Sequence, residues 1–314
     1  MYPYLKDKKV EPLPKEERGD IFKNIRAMLM HKVGNVIVNN TDSLLLSALV
    51  GTLSVGRYSN YFLVIGSVRQ VLNQVFQGIT ASVGNMGVGE SKMRIRKIFE
   101  STFFVGQWMY GVAAICLYEA VDLFVSISFG LQYRFPANVT LVLCINFYLN
   151  GMRQATLVFR DSMGLFRYDR YKSLVEAGIN LVVSLILGKY YGTVGVFIGT
   201  MISTVTTSLW VEPYVLYKYR LKVSSLSYFA KYGLYAGVTF LLWLGVDNLC
   251  TRIPGNVWVQ CTLRILLSFV IVNLVYLVLY YRTKEFKLLK QKGLQILGKK
   301  PECQGDGSRP LKNK

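Results

Sequence analysis

The sequence predicts an all-α polytopic membrane protein with about eight transmembrane helices. Of the 314 residues, 52% are hydrophobic and only 18% are charged, whereas an ordinary soluble domain has about 25% charged residues. The mean hydropathy is +0.32, and the apolar residues are concentrated in runs of about 20, the length of a helix that crosses a bilayer. The basic residues fall between these runs. A soluble fold would have too little polar sequence to cover the apolar runs.

The chain begins with a basic cytoplasmic linker, residues 1–30, that leads into the first apolar run. At 19–32, the stretch GDIFKNIRAMLMHK has apolar residues at helical spacing with basic residues between them. This pattern predicts an amphipathic helix on the inner leaflet. The predicted spans are residues 31–50, 60–84, 100–127, 138–160, 174–192, 195–217, 229–250 and 260–281. We group them as a six-helix lobe at 31–217, two additional transmembrane helices at 218–281 and a basic cytoplasmic tail at 282–314.

The distribution of basic residues predicts the orientation of these spans. Lysine and arginine are concentrated in the linkers on one side of the predicted membrane, whereas the other side has only Arg57, Arg134, Lys189 and Arg252. Because cytoplasmic loops carry the excess of Lys and Arg, we expect a multi-pass protein with both termini in the cytoplasm. The formal net charge of +19 is explained by this topology and does not indicate a nucleic-acid partner.

Polar residues follow one face of several predicted spans. Asn39 and Asp42 share a face of the first span, as do Arg69, Asn73 and Gln77 on the second, because three or four residues separate neighbours. The candidate pathway residues are Asn39, Asn40, Asp42, Arg69, Asn73, Gln77, Asn150, Arg153, Glu176 and Asn180. A charge at the centre of a bilayer costs about 2.5–3.5 kcal/mol, so it needs water or a partner. We therefore expect these faces to surround a shared hydrated cavity.

Two alternatives stay open for these polar faces. Amide side chains also join neighbouring helices, with about 0.6 kcal/mol per hydrogen bond, and need no cavity for that role. An ion pair between Asp42 and Arg69 would agree with either interpretation. Other charged residues are expected to reach water near the ends of their spans. These are Glu119, Asp122, Asp247 and Arg264 at the outer side, and Arg160 and Glu212 at the inner side.

The sequence contains no recognisable catalytic or metal-binding arrangement. Its five cysteines form no Cys-x-x-Cys pair, and His31 is the single histidine, so no zinc site can be assembled. The glycine-rich run GVGES at 87–91 lacks the Gly-Lys-Ser/Thr ending of a phosphate-binding loop. We therefore expect no enzymatic activity, no catalytic residues, no metal and no cofactor.

Several stretches resemble the polysaccharide and O-antigen flippases of the multidrug/oligosaccharidyl-lipid/polysaccharide exporter superfamily. They are NNTDSLLLSALVGTLSVGRYSNYFLV at 39–64, ITASVGNMGVGES at 79–91, MGLFRYDRYKSLVEAGINLVVSLILGKYYGTVGVFIGTMIS at 163–203 and WVEPYVLYK at 210–218. The resemblance covers about residues 20–220. It implies two six-helix lobes that face each other around a central cavity, with this chain corresponding to the C-terminal lobe plus two extra helices.

The resemblance also implies a function and a location. Such proteins move undecaprenyl-pyrophosphate-linked oligosaccharide across the bacterial inner membrane for synthesis of surface polysaccharide. The expected partners are this lipid-linked substrate, membrane lipids, the glycan polymerase and export machinery, and either a missing N-terminal lobe or a second chain. The alternatives are a drug or small-molecule antiporter of the same superfamily and a membrane-bound glycan polymerase, which would need longer outer loops.

Overall fold

The structure, a computed structural model, describes residues 14–86 and 91–296. The start of the basic linker, four residues of the 79–91 stretch, the end of the tail and the side chain of Asn39 lie outside this described part. The structure is 89% helical and its described residues form no strand. The helices are α1 (Lys15–Leu49), α2 (Thr52–Met86), α3 (Lys92–Ser128), α4 (Ala137–Met152), α5 (Gln154–Ser162), α6 (Lys172–Tyr191), α7 (Thr193–Ser203), α8 (Leu209–Val215), α9 (Leu226–Cys250), α10 (Val257–Tyr280) and α11 (Lys284–Ile296).

Five of the described helices are long and apolar enough to cross a membrane, which makes this a helical multi-pass membrane protein. They are α3, α6, the continuous helix Thr193–Leu221 that contains α7 and α8, α9 and α10. The other three predicted spans coincide with α1, with α2 and with the pair α4–α5, where the chain breaks at Arg153. The polar faces of α1 and α2 lower their mean hydropathy, so the total of eight spans stays a prediction.

The predicted amphipathic segment and the first predicted span form one helix. α1 runs without a break from Lys15 to Leu49. At about 1.5 Å per residue it is about 50 Å long, which exceeds the hydrocarbon core of about 30 Å. The apolar residues of its first half remain exposed, with Phe22 72% and Leu29 56% accessible. The amphipathic segment therefore continues directly into the span and is not separated from it by a turn.

The closest helix contact joins α6 to α7. Gly192 turns the chain between them with φ 62°, and Gly195 and Gly199 then face α6 at a spacing of four. A Cβ added to Gly199 would lie 2.5 Å from the backbone nitrogen and Cα of Ser184. Small residues at this spacing allow membrane helices to approach closely. The contact fixes the position of Thr200, which follows Gly199 directly.

α9 and α10 share a hydrophobic core with the preceding helices. Phe103 of α3 packs against Tyr228 of α9, with ring centroids 4.7 Å apart. Trp108 of α3 packs edge-on against Tyr276 of α10 at 5.6 Å and donates its indole hydrogen to Asn273. The opposite faces of α9 and α10 expose large apolar side chains, including Leu241 at 68% and Val278 at 67%. Such continuous apolar exposure is expected of helix faces in contact with lipid.

Candidate functional site

A polar cavity of about 270 Å³ lies among α1, α2, α4, α6 and α7. Asp42, Arg69, Asn150, Arg153 and Glu176 line it, so five of the sequence-predicted residues meet at one place. The cavity walls also include the polar side chains of Asn35, Tyr58, Asn146, Gln154, Thr200 and Thr204. Phe62, Ile65 and Phe197 supply apolar surface. All five of these helices thus turn polar side chains toward a common space.

A second space, a groove of about 740 Å³, continues from the cavity along α1 and α2. The predicted residues Asn40, Asn73 and Gln77 line this groove, together with Gln70 and Gln74. The cavity and the groove share Tyr58, Phe62 and Arg69. The outer wall of the groove is open, because Asn40 and Gln77 are exposed at the surface. Arg69 therefore lies where the polar cavity meets an open polar face.

Asp42 is buried at the cavity wall, with 7% of its surface accessible. Its carboxylate accepts a hydrogen bond of 2.7 Å from the Thr200 hydroxyl. The amide of Asn180 donates to the same hydroxyl oxygen at 2.9 Å, so Asn180 lies behind Thr200 and supports it. The hypothesised ion pair with Arg69 is wrong: among the described residues no cation lies within 4.0 Å of the Asp42 carboxylate. The hydroxyl of Thr200 on α7 is hydrogen-bonded to that carboxylate instead.

Two buried amide oxygens on the helices around the cavity have no hydrogen-bond partner. Asn146 donates its amide to the backbone oxygen of Phe197 at 3.0 Å, which leaves its own side-chain oxygen unpartnered. The side-chain oxygen of Asn180 is likewise buried and unpartnered. A buried acceptor without a donor costs about 1–3 kcal/mol, and a cation or water removes this cost. A carboxylate, a hydroxyl and amide oxygens are suitable ligands for a hard monovalent cation, and the carboxylate alone can carry a proton.

Arg69 is half-buried and, unlike Arg153, Arg160 and Lys172, has no carboxylate partner among the described residues. Its Nε is buried without a hydrogen-bond partner. One turn further along α2, Asn73 accepts a hydrogen bond of 2.7 Å from the hydroxyl of Tyr110, which holds that side chain in place. An arginine that is not neutralised by the protein is available to an anionic group that enters the cavity.

Arg153 is paired very differently from Arg69. Its guanidinium forms a bidentate ion pair with Glu212, with Nη2–Oε1 at 2.7 Å and Nε–Oε2 at 3.0 Å. Arg153 also donates to Asn150 at 3.1 Å and lies 3.7 Å from Glu176. The break between α4 and α5 occurs at Arg153 itself, and the side chain leaves the helix there to reach Glu212. Glu212 is fully buried, so the expectation that it reaches water at the inner surface is wrong.

Lys172 extends this network from the start of α6. Its ammonium lies 2.6 Å from Glu212, 2.7 Å from the Ser208 hydroxyl and 3.2 Å from Glu176. Ser208 in turn donates to Glu176 at 2.6 Å. Residues Thr204–Ser208 form a wide π-helical turn within the helix Thr193–Leu221. Such turns are frequent at functional sites, and this one places Ser208 and Glu212 on the face that meets α6.

The network ends on the connection between α5 and α6. Arg160 donates to Asp169 at 2.8 Å, and Asp169 also accepts from His31 at 3.1 Å. The other nitrogen of His31 lies 2.8 Å from the hydroxyl of Ser173. Arg160 is 5% accessible, which contradicts the expectation that it reaches water. The carboxylate of Asp169 balances the charge of the buried Arg160 within the bundle.

The acidic residues near the outer end of α3 are also buried, contrary to expectation. Asp122 is 8% accessible and accepts hydrogen bonds from the hydroxyls of Tyr61 and Thr140. Glu119 is 3% accessible, with Arg264 of α10 at 4.0 Å. Neither Asp122 nor Glu119 belongs to the cavity lining. Their contacts join helices, as the packing interpretation of intramembrane polar residues predicts.

Sequence reasoning did not identify several residues that build the site. They are Tyr58, Asp169, Lys172, Thr200, Ser208 and Glu212, all within or directly behind the cavity network. A usable signal was present at Lys172 and Glu176, whose spacing of four places opposite charges on one helix face. Thr200 and Ser208 gave no such signal, because serine and threonine are common in membrane helices that have no functional site.

The site contains no arrangement typical of a transition metal. Within residues 14–86 and 91–296, no group of three or more His, Cys, Asp or Glu side chains is placed to hold a metal ion. The chain matches no family model, no curated protein and no solved structure with which it was compared.

Proposed function

We propose that the chain forms part of a flippase that moves an oligosaccharide linked to undecaprenyl pyrophosphate across the bacterial inner membrane. The observation that carries the proposal is Arg69, a half-buried arginine with a buried, unpartnered Nε and no carboxylate partner, at the junction of a polar cavity and an open polar groove. A pyrophosphate headgroup is anionic and needs a hydrated, cationic path. The resemblance of residues 20–220 to polysaccharide flippases agrees with this chemistry.

The network of ion pairs next to the cavity, in which cations and carboxylates are equal in number, supports the same proposal. Arg153, Arg160 and Lys172 are balanced by Asp169, Glu176 and Glu212. Because these cations are already paired, they hold α1, α4–α5, α6 and α8 in position rather than attract substrate. Arg69, which has no carboxylate partner, is then available to bind an anion that enters the cavity.

The open groove suggests that the pathway is completed by another unit. Asn40, Gln70, Gln74 and Gln77 are exposed on α1 and α2, and lipid cannot satisfy their hydrogen bonds. A second lobe or a second chain with its own polar face would enclose this surface together with water. The groove would then become one wall of a central cavity between two units.

The proposal is tested in cells that lack the gene and carry a plasmid copy. Loss of the gene is expected to stop surface polysaccharide and to accumulate the lipid-linked repeat unit in the inner leaflet. Arg69→Ala is expected to reduce export about tenfold or more, because a hydrogen bond to a charged group contributes about 1.5–3 kcal/mol. Arg69→Lys should retain part of the activity, since it keeps the charge. Surface glycan and extracted lipid-linked saccharide are quantified by mass spectrometry.

The matched control is Arg252→Ala, which removes an exposed arginine just after α9 that contacts Asn248 near the end of that helix. This variant should export normally at equal membrane abundance. Normal surface glycan in the complete deletion, or equal export by Arg69→Ala and wild type, would contradict the proposal.

A second candidate function is ion-coupled export of a drug or other small molecule, for which Asp42 would be the coupling residue. Its buried carboxylate and the unpartnered oxygens of Asn146 and Asn180 suit a coupling cation or proton, whichever substrate is moved. Asp42→Asn preserves the shape and the bond from Thr200 but removes the charge. We expect this variant to insert normally and to lose most of the dependence of export on external sodium or pH.

The phenotype of the deletion strain separates the two candidates. Increased sensitivity to cationic drugs with intact surface glycan in the deletion strain would select the antiporter. The Asp247→Asn variant, with its substitution near the outer end of α9 and outside the cavity lining, serves as the control for Asp42→Asn. If Asp42→Asn keeps the full ion dependence, Asp42 is a packing residue and coupling occurs elsewhere.

A further inference from the structure

A basic and aromatic cleft lies where the helix Thr193–Leu221 ends and α9 begins. The cleft has a volume of about 610 Å³, and its lining includes Tyr214, Lys218, Lys222, Ser224 and Ser225. It is separate from the candidate site, with which it shares no lining residue. We refer to it below as the basic–aromatic cleft.

The charge of the basic–aromatic cleft is not balanced by the protein. Among the described residues, no carboxylate lies within 4.0 Å of the ammonium of Lys218 or Lys222. The Lys218 ammonium lies 5.1 Å from the ring centre of Tyr214 and 5.6 Å from that of Tyr219. It also donates to the Tyr214 hydroxyl at 2.9 Å. The rings orient this cation but leave its charge available to an anion.

The turn that follows the helix holds Lys222 at the cleft. Lys222 adopts a left-handed backbone conformation with φ 56°, which no other non-glycine residue of the described part adopts. This conformation is unfavourable for a residue with a side chain and persists where the surroundings require it. Two residues later, the hydroxyl of Ser224 accepts a hydrogen bond of 3.3 Å from the backbone of Leu226 at the start of α9.

The surroundings of the cleft indicate a membrane surface. Tyr219 stacks on Tyr168 with ring centres 3.8 Å apart, and both rings are about 40% exposed. Beside the lysines, Val223 is 41% and Leu226 is 74% accessible. Tyrosine, lysine and exposed aliphatic side chains occur together where a membrane helix passes from the headgroup region into hydrocarbon. A soluble anion would gain nothing from the aliphatic surface.

We propose that the basic–aromatic cleft binds the phosphate headgroup of an anionic membrane lipid, whose acyl chains lie against Val223 and Leu226. Lys218 and Lys222 bind the phosphate, and Ser224 and Ser225 offer hydroxyls to its remaining oxygens. The proposal depends on the chain lying in a membrane and not on what it transports.

The test measures lipid retained by the purified full chain in detergent. Phosphatidylglycerol or phosphatidylcholine is added, and bound lipid is counted by native mass spectrometry. Wild type should retain phosphatidylglycerol in preference to phosphatidylcholine. Each lysine near an anionic surface contributes about fivefold in affinity, so Lys218→Gln with Lys222→Gln should weaken phosphatidylglycerol binding about 30-fold. Both side chains are exposed, so thermal unfolding of the variant without added lipid should match wild type.

The matched control is Lys189→Gln. Lys189 is also exposed and is followed by the exposed Tyr190 and Tyr191, but it lies outside the basic–aromatic cleft, so phosphatidylglycerol retention should not change. Inorganic phosphate at the same concentration should not displace the lipid. Equal retention of the two lipids by wild type, unchanged binding in the double variant, or displacement by inorganic phosphate would overturn the proposal.

Discussion

Glu212→Ala is expected to destabilise the folded bundle by about 3–5 kcal/mol, the usual cost of removing one partner from a buried ion pair. Glu212 is fully buried and receives the bidentate contact of Arg153 as well as the ammonium of Lys172 at 2.6 Å. Its removal leaves two cations without their main partner inside the bundle. The measurement is the thermal midpoint of unfolding in detergent, together with the yield of folded protein.

The control for this prediction is Asp161→Ala. Asp161 contacts the neighbouring Arg160 at 2.8 Å, but its side chain is 48% exposed. Water screens such pairs, so this variant should lose less than about 1 kcal/mol. A second comparison introduces Glu212→Ala into the Lys172→Met variant. The loss of unfolding free energy should be smaller there than in wild type, because one of the two cations left without a partner has been removed. Equal losses in both backgrounds would show that the network acts through packing alone.

Gly199→Ala is expected to cost about 1–3 kcal/mol through overpacking. The added Cβ would lie 2.5 Å from backbone atoms of Ser184, which cannot rotate away as the end of a side chain could. α6 and α7 must therefore separate. The shift would also move Thr200 relative to Asp42 and Asn180, so a fall in export should accompany the fall in thermal midpoint.

Gly178→Ala is the matched control on α6. A Cβ at Gly178 meets no atom within 4 Å, and alanine is a better helix former than glycine by about 1 kcal/mol. The two substitutions are chemically identical but should change stability in opposite directions. If Gly199→Ala is as stable as wild type, the close approach of α6 and α7 is not required by the fold.

Five of the ten residues chosen by helical spacing line the cavity, and three others line the groove. Asp42, Arg69 and Glu176 line one cavity because each was assigned correctly to the polar face of its own helix. Burial of these faces then follows from the cost of placing charges in lipid. The same reasoning did not provide the partners, since an ion pair depends on how neighbouring helices are rotated about their axes.

Glu212 shows why those partners could not be obtained from a regular helical pattern. Its partner Arg153 lies 59 residues away, and the π-helical turn Thr204–Ser208 precedes it in the helix. A π turn contains an extra residue, which rotates everything that follows by about 100° relative to a regular α-helix. Helical periodicity compares residues within one regular helix. It therefore cannot predict an ion pair between two helices or a π-helical turn within one of them.

The core that α3 shares with α9 and α10 has a consequence for biosynthesis. The hydrogen bond from Trp108 of α3 to Asn273 of α10 joins residues that are 165 positions apart in the sequence. Contacts that are so distant in sequence close late and slow folding. α3 therefore enters the membrane long before its partners are synthesised, with the aromatic face that includes Phe103 facing lipid in the interval. A nascent chain interrupted before α10 would contain every residue that lines the polar cavity. It would still lack part of the hydrophobic core and would be a substrate for membrane quality control.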